Sequence, residues 1–129
     1  MATGRLNAIV LDVGDLAAST RFYAELVGLA LHVGSDNGAP GDRWISGDHR
    51  AVSWGGGAFL HFALYEAKGE PTRGAQVGFA CDDLAAAHAR LVAGGAGVIH
   101  PPRAEPWGDT GRYSDPDGNV VALTQSRPS

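Results

Sequence analysis

The chain has 129 residues, ten basic and fourteen acidic side chains, a net charge of -4, 44% hydrophobic residues and 19% charged ones. That length and near-average composition exclude a disordered chain, a coiled coil and a collagen-like fibre, and make a single soluble globular unit the expectation. The acidic balance argues against a partner rich in nucleic-acid phosphate or an anionic membrane, and suits a cationic small molecule better.

Cys81 is the only cysteine, so neither an intrachain disulfide nor a Cys-rich zinc site can form, and a reducing compartment fits. No apolar run approaches the roughly 18 residues of a membrane span. The segment Met1–Leu6 has no hydrophobic signal core, so a cytoplasmic location is expected. Nineteen glycines point to many tight turns and close backbone approaches.

The first periodic segment alternates Ile9, Leu11 and Val13 with Val10, Asp12 and Gly14, which predicts a strand with its odd positions toward a core. Asp15 can then cap a helix over Leu16–Val27, with Phe22, Tyr23, Leu26 and Val27 as its apolar stripe and Gly28 as its left-handed stop. Residues Gly34–Asp42, with Asn37-Gly38 and Pro40-Gly41, read as a loop. Short strands are expected around Trp44-Ile45 and over Ala51–Trp54, before a turn at Gly55-Gly56-Gly57. Phe59–Tyr65 alternates again, with Leu60, Phe62 and Leu64 on one face and Phe59, His61, Ala63 and Tyr65 on the other.

Lys68–Gly74 lacks periodicity and reads as a linker. The pattern then restarts. Val77, Phe79 and Cys81 form one side of a strand, Asp83 caps a helix over Leu84–Ala93, and Gly94-Gly95 ends it. The words Asp15-Leu16-Ala17-Ala18 and Asp83-Leu84-Ala85-Ala86 are identical and stand at equivalent places. Val98–His100, Gly111–Ser114 and Asn119–Thr124 supply later strands, and Asp115-Pro116-Asp117-Gly118 is the turn before the last. Each half is thus a strand, a helix and about three strands.

Val13-Gly14-Asp15-Leu16, Phe22-Tyr23, Leu26-Val27-Gly28-Leu29, Pro106-Trp107-Gly108 and Asp115-Pro116-Asp117-Gly118-Asn119 together resemble the vicinal oxygen chelate superfamily of glyoxalases, extradiol dioxygenases, fosfomycin-resistance enzymes and bleomycin-resistance binding proteins. The resemblance runs from about Leu6 to Gln125 and implies an α+β fold. Two βαβββ modules, about residues 5–67 and 75–125 of one domain spanning 1–129, would form curled mixed sheets around a cavity. It implies no single reaction, because such folds host many chemistries.

Enzymes of the superfamily hold a divalent ion on cavity-facing positions that align here with Ala8, His61, Gln76 and Ala122. Two methyl groups donate no lone pair, and a catalytic ion needs about three protein ligands, so no metal and no other cofactor is expected. The resemblance is then closest in character to the metal-free binding proteins. These sequester a bulky aromatic or cationic compound, such as an antibiotic, and a homodimer is expected to close open sheet edges.

The residues expected to meet such a ligand are Asp12, Trp44, Trp54, Phe59, His61, Gln76, Trp107 and Tyr113. The tryptophans offer flat faces for stacking, with Trp107 foremost. His61 can give a hydrogen bond, act as a base, or be a buried histidine satisfied by Gln76. Asp12 can draw a basic ligand group or pair internally with Arg112. Cys81 reads as a small core residue and His88 as a solvated one. His32, His49 and His100 show no ligand spacing, and neither a dinucleotide fingerprint nor a nucleophile elbow is present. Two other readings stay open: an enzyme of the same fold, a lyase, isomerase or dioxygenase that uses a different metal set or acts without metal through His61 and Asp12, and a regulatory or structural partner domain.

Overall fold

The computed structural model describes residues 8–29, 44–46, 49–55 and 61–127, and at positions 8, 44–46, 49–55 and 61 it describes the backbone. The expected loop over Gly34–Asp42, the turn at Gly56-Gly57 and Phe59 lie outside the described residues. The described chain contains eight strands, β1 (Ala8–Val13), β2 (Trp44–Ser46), β3 (His49–Gly55), β4 (His61–Glu66), β5 (Gln76–Ala80), β6 (Gly97–Glu105), β7 (Gly108–Ser114) and β8 (Val120–Gln125). Two helical segments join them: α1 (Leu16–Arg21), continued by a π-helical stretch over Phe22–Val27, and α2 (Leu84–Ala93).

The strands form two four-stranded mixed sheets with the same connectivity, β1-β4-β3-β2 and β5-β8-β7-β6. In each sheet the first and last strands of the repeat pair in parallel, and the other pairs are antiparallel. Each repeat is therefore βαβββ, as the repeated Asp-Leu-Ala-Ala word suggests. By contact the chain divides into a unit of residues 1–20 and 29–71 and a unit of residues 21–28 and 72–129.

In the first unit, Leu11 and Val13 of β1 and Phe62 and Leu64 of β4 are buried, and Ala63 at the alternate position is buried too. Asp15 caps α1 as expected, accepting the Ala18 backbone N–H at 3.0 Å. The helix does not run as one α-helix to Val27. From Phe22 it widens, and it ends when Gly28, at φ 96°, donates its N–H to Tyr23 O. Two apolar pairs four residues apart, Phe22-Tyr23 and Leu26-Val27, fit either helical spacing, so their pattern could not reveal the widening.

The second unit buries Val77, Leu84, Ala87, Leu91, Tyr113, Val121 and Leu123 between α2 and one face of β5-β8-β7-β6, and the Phe22–Val27 stretch packs against α2. Arg90 of α2 donates to the carbonyls of Leu26 and Val27, the free acceptors at a helix end. α2 has the expected bounds because both its signals are local. Asp83 accepts the Ala86 N–H at 3.0 Å, Gln125 Oε1 accepts the Leu84 N–H at 2.7 Å, and Gly94 closes the last turn.

β6 corrects the expected strand over Val98–His100. It continues through Pro101 and Pro102 to Glu105, with register shifts on either side of His100. Two prolines are tolerated because β6 is the edge of its sheet and both fall within the register shift between His100 and Arg103, where the ladder to β7 is interrupted. β7 begins at Gly108 rather than Gly111, which makes Pro106-Trp107 a two-residue hairpin turn.

Asp115-Pro116-Asp117-Gly118-Asn119 is more than a turn. The Asp115 carboxylate is 5% exposed and accepts four hydrogen bonds: Tyr23 Oη at 2.6 Å, Asn119 Nδ2 at 3.1 Å, Asn119 N at 2.8 Å and Asp117 N at 2.9 Å. Asn119 carries the network onward, donating to Thr72 O and accepting from Ala75 N, so it anchors the end of the linker.

Burial, reinforced by the hydrogen bond to Asp115, pushes the Tyr23 hydroxyl far above the ordinary tyrosine range, and burial also raises Tyr113. Above about pH 10 the unfolded chain loses tyrosine protons that the folded chain keeps. Unfolding free energy should therefore be fully expressed below that value and fall as pH rises beyond it, with Tyr23→Phe flattening the fall. Denaturant unfolding between about pH 8 and pH 11 checks this; equal slopes for parent and variant would contradict it.

Candidate functional site

The cross-strand register sorts the expected ligand residues. In the first unit Asp12, Tyr65, Ala51 and Trp44 stand in one row across β1, β4, β3 and β2. His61 opens β4 opposite Ala8 and Gly55, an even number of residues from that row, so its strand position belongs to the same set. Trp54 does not join them. It is in register with Phe62, a position of the alternate set.

In the second unit the sheet has one face toward α2 and one away from it. Tyr113 lies on the α2 face, in register with Val98 and Val121, and is 0% exposed. Its hydroxyl is 2.9 Å from His88 Nδ1 of α2. Gly111 makes room for this: a Cβ there would stand 2.5 Å from Tyr113 Oη. Tyr113 is thus a core residue rather than a ligand wall, and His88 is a partly buried partner of it rather than a solvated side chain. Its two-residue offset from Gly111, opposite Val121, was the available sign; the nearness of Trp107 in the sequence masked it.

The face away from α2 carries Gln76, Gly78 and Ala80 of β5, all exposed, then Ala122 and Thr124 of β8, Thr110 and Arg112 of β7, and His100 of β6. Trp107, at the hairpin leading into β7, is 58% exposed, yet its indole is not loose. Nε1–H donates to Thr110 Oγ1 at 3.1 Å, and Thr110 Oγ1 is 3.0 Å from Thr124 Oγ1. A polar chain therefore holds one edge of the ring and leaves the remainder to solvent. That is an aromatic platform ordered before any ligand arrives, which lowers the entropy lost on binding.

Gly78, Ala122, Arg112 and His100 form one row across this face. The expected metal position Ala122 thus sits between a glycine and a guanidinium, and Gln76 is in register with Val120 rather than with Ala122. A hydrogen, a methyl and a cation offer no lone pair, and the one donor in the row, His100 Nε2, is bound to Arg112, so the row does not fit a divalent ion. His100 and Arg112, which the sequence reading left out of the site, meet here: Arg112 Nη1 is 2.8 Å from His100 Nε2. The sign that could have found Arg112 is its shared parity with Thr110 on β7.

Arg103, on the next row, is neutralised by Glu105. Its Nε donates to Oε1 at 2.8 Å, and this bond holds the Glu105 carboxyl below the usual carboxylate range. A pocket of ≈ 330 Å³ beside the start of α2, lined by Leu84, Ala85, Pro102, Arg103, Ala104, Asp109 and Gln125, contains none of the residues expected to bind ligand. Among the described residues no helix is long and apolar enough to cross a membrane.

Comparison with known proteins places this arrangement. The family model described as Glyoxalase/Bleomycin resistance protein/Dioxygenase superfamily matches residues 5–123. The crystal structure of TnmS3, an antibiotic binding protein from Streptomyces sp. CB03234, is similar at a TM-score of 0.70 and 29% identity, covering 98% of this chain and 99% of that one. A glyoxalase/bleomycin resistance protein, also from Streptomyces sp. CB03234, matches at a TM-score of 0.66 and 29% identity over 94% and 100% of the two chains. A superfamily member from Sphaerobacter thermophilus shares the fold at a TM-score of 0.67 and 23% identity, over 96% of this chain and 98% of that one. A search of curated protein sequences finds no significant match.

Proposed function

Because the chain belongs to the Glyoxalase/Bleomycin resistance protein/Dioxygenase superfamily, we propose that it is a small-molecule binding protein that sequesters a bulky aromatic or cationic compound, such as an antibiotic, without a metal ion. Of the two ligand classes the aromatic one has the stronger support. The observation that carries it is Trp107, 58% exposed with its N–H anchored on Thr110, because an ordered and exposed indole face stacks planar rings at little entropic cost. The description of TnmS3 as an antibiotic binding protein supports the same reading, and the row through Ala122, whose one donor, His100 Nε2, is held by Arg112, supports binding over metal-assisted chemistry.

A thermal-shift screen of polycyclic aromatic antibiotics tests this. A true ligand at a hundred times its dissociation constant adds about 2.7 kcal/mol of stability. Trp107→Ala should then weaken binding of that compound by about 1–3 kcal/mol in titration calorimetry, the range for losing a large aromatic contact. A screen without a stabilising compound, or undiminished binding by the variant, would remove the reading.

A further inference from the structure

We infer that the face of β5-β8-β7-β6 away from α2 recognises an oxygen anion, a carboxylate or phenolate, carried on a planar aromatic ligand, with Arg112 as the donor and His100 as the residue that positions it. This rests on the binding role proposed above and adds the ligand's charge and the place of its charged group.

The bonds of His100 set its tautomer. Nδ1 lies 2.8 Å from Pro101 O, which can only accept, so Nδ1 carries the proton and Nε2 the lone pair. Nε2 therefore accepts from Arg112 Nη1 at 2.8 Å. A neutral imidazole thus fixes the guanidinium through one of its five N–H groups without pairing its charge, and the nearest opposing carboxylate it feels, Glu105, is bonded to Arg103. Among the described residues no carboxylate comes within ion-pair distance of Arg112. Its neighbour on the next row, Arg103, is by contrast paired with Glu105.

The same row is open at β5, where Gly78 is exposed, while Ala122 between it and Arg112 is 7% exposed. Next to Arg112 stand Ala122 and Gly78, and a Cβ on Gly78 would meet only Ala122 O, at an ordinary 3.8 Å. No side chain larger than a methyl rises from β5 or β8 at this level. Thr110, which anchors Trp107, is two residues from Arg112 on the same side of β7, about 7 Å along the strand. A planar ligand can therefore lie against the indole and present an oxygen anion to a guanidinium already oriented for it, the geometry in which arginine binds carboxylates through paired N–H groups. A cationic group in that place would meet like charge.

The test uses two probes of equal ring size, 2-naphthoate and 2-naphthylmethylammonium, titrated into the uniformly ¹⁵N-labelled protein. The naphthoate should shift both the Trp107 Nε1–H and the Arg112 Nε–H resonances and bind at least about tenfold more tightly than the cation. Arg112→Gln should abolish that preference while naphthoate still shifts the Trp107 signal, and Arg112→Lys, which keeps charge without the fork, should retain part of it. If both probes shift Trp107 with equal affinity, or the preference survives Arg112→Gln, the anion site is wrong and aromatic binding stands. If neither probe shifts Trp107 at millimolar concentration, the binding role falls and this inference falls with it.

Discussion

Asp115→Ala is expected to destabilise the protein by about 3–5 kcal/mol, the cost of leaving buried partners of a charged acceptor unpaired. The carboxylate is 5% exposed and accepts from Tyr23, Asn119 and two backbone amides, so its removal takes the charged acceptor from all four donors, of which the Tyr23 hydroxyl and the Asn119 groups are the buried ones. The effect should spread beyond the turn, because Asn119 also holds Thr72 and Ala75. Asp115→Asn, which keeps the shape and one accepting oxygen but sets an amide NH2 against the other two donors, should lie between the parent and Asp115→Ala. Urea unfolding decides it: the midpoint should fall with the slope unchanged. A loss below about 1 kcal/mol, the scale of one ordinary hydrogen bond, would show that the network is not cooperative.

Gly108→Val should cost about 2–5 kcal/mol, from backbone strain and overpacking together. Gly108 has φ 143°, a conformation that side-chain-bearing residues rarely adopt. Its Cβ would stand 2.7 Å from the Gln125 carbonyl oxygen and 3.1 Å from Thr124 Cγ2. The backbone oxygen belongs to the β8 ladder and cannot yield without breaking pairing to β7. This residue follows Trp107 directly, so the variant carries a second readout. The Trp107 indole N–H should lose its bond to Thr110, and the NMR signal of that proton should move toward the solvent-exposed value. A variant that unfolds at the parental midpoint with an unmoved indole signal would refute both parts.

How far residues alone announce structure depended on whether their partners are near in the chain. Asp83 and Gly94 bracket α2 with contacts three or four residues away, and its bounds were legible. Asp115, read as a turn residue, has its decisive partner Tyr23 on a distant helix, and turn chemistry is silent about that bond. β6 runs through two prolines that argue for an end, and its place at the sheet edge together with the register shift there permits them. Tyr113 and Trp107 looked alike as neighbouring aromatics; strand parity put one in the core and a hairpin left the other exposed.

The sequence by itself determined the repeated βαβββ order, the caps of both helices, the family, and the absence of lone pairs at Ala8 and Ala122. These follow from periodicity, from local hydrogen bonding and from the elements of each side chain. The tertiary structure alone decided which aromatic is exposed, that Asp115 joins a helix to a turn, and that Arg112 and His100 meet on one face. The pairing of β6 with β7 and of β7 with β8 sets those rows. A shift of one residue in that register would turn Arg112 toward α2 and Tyr113 away from it. Register comes from burial summed over the whole sheet, a quantity no local window of the chain contains.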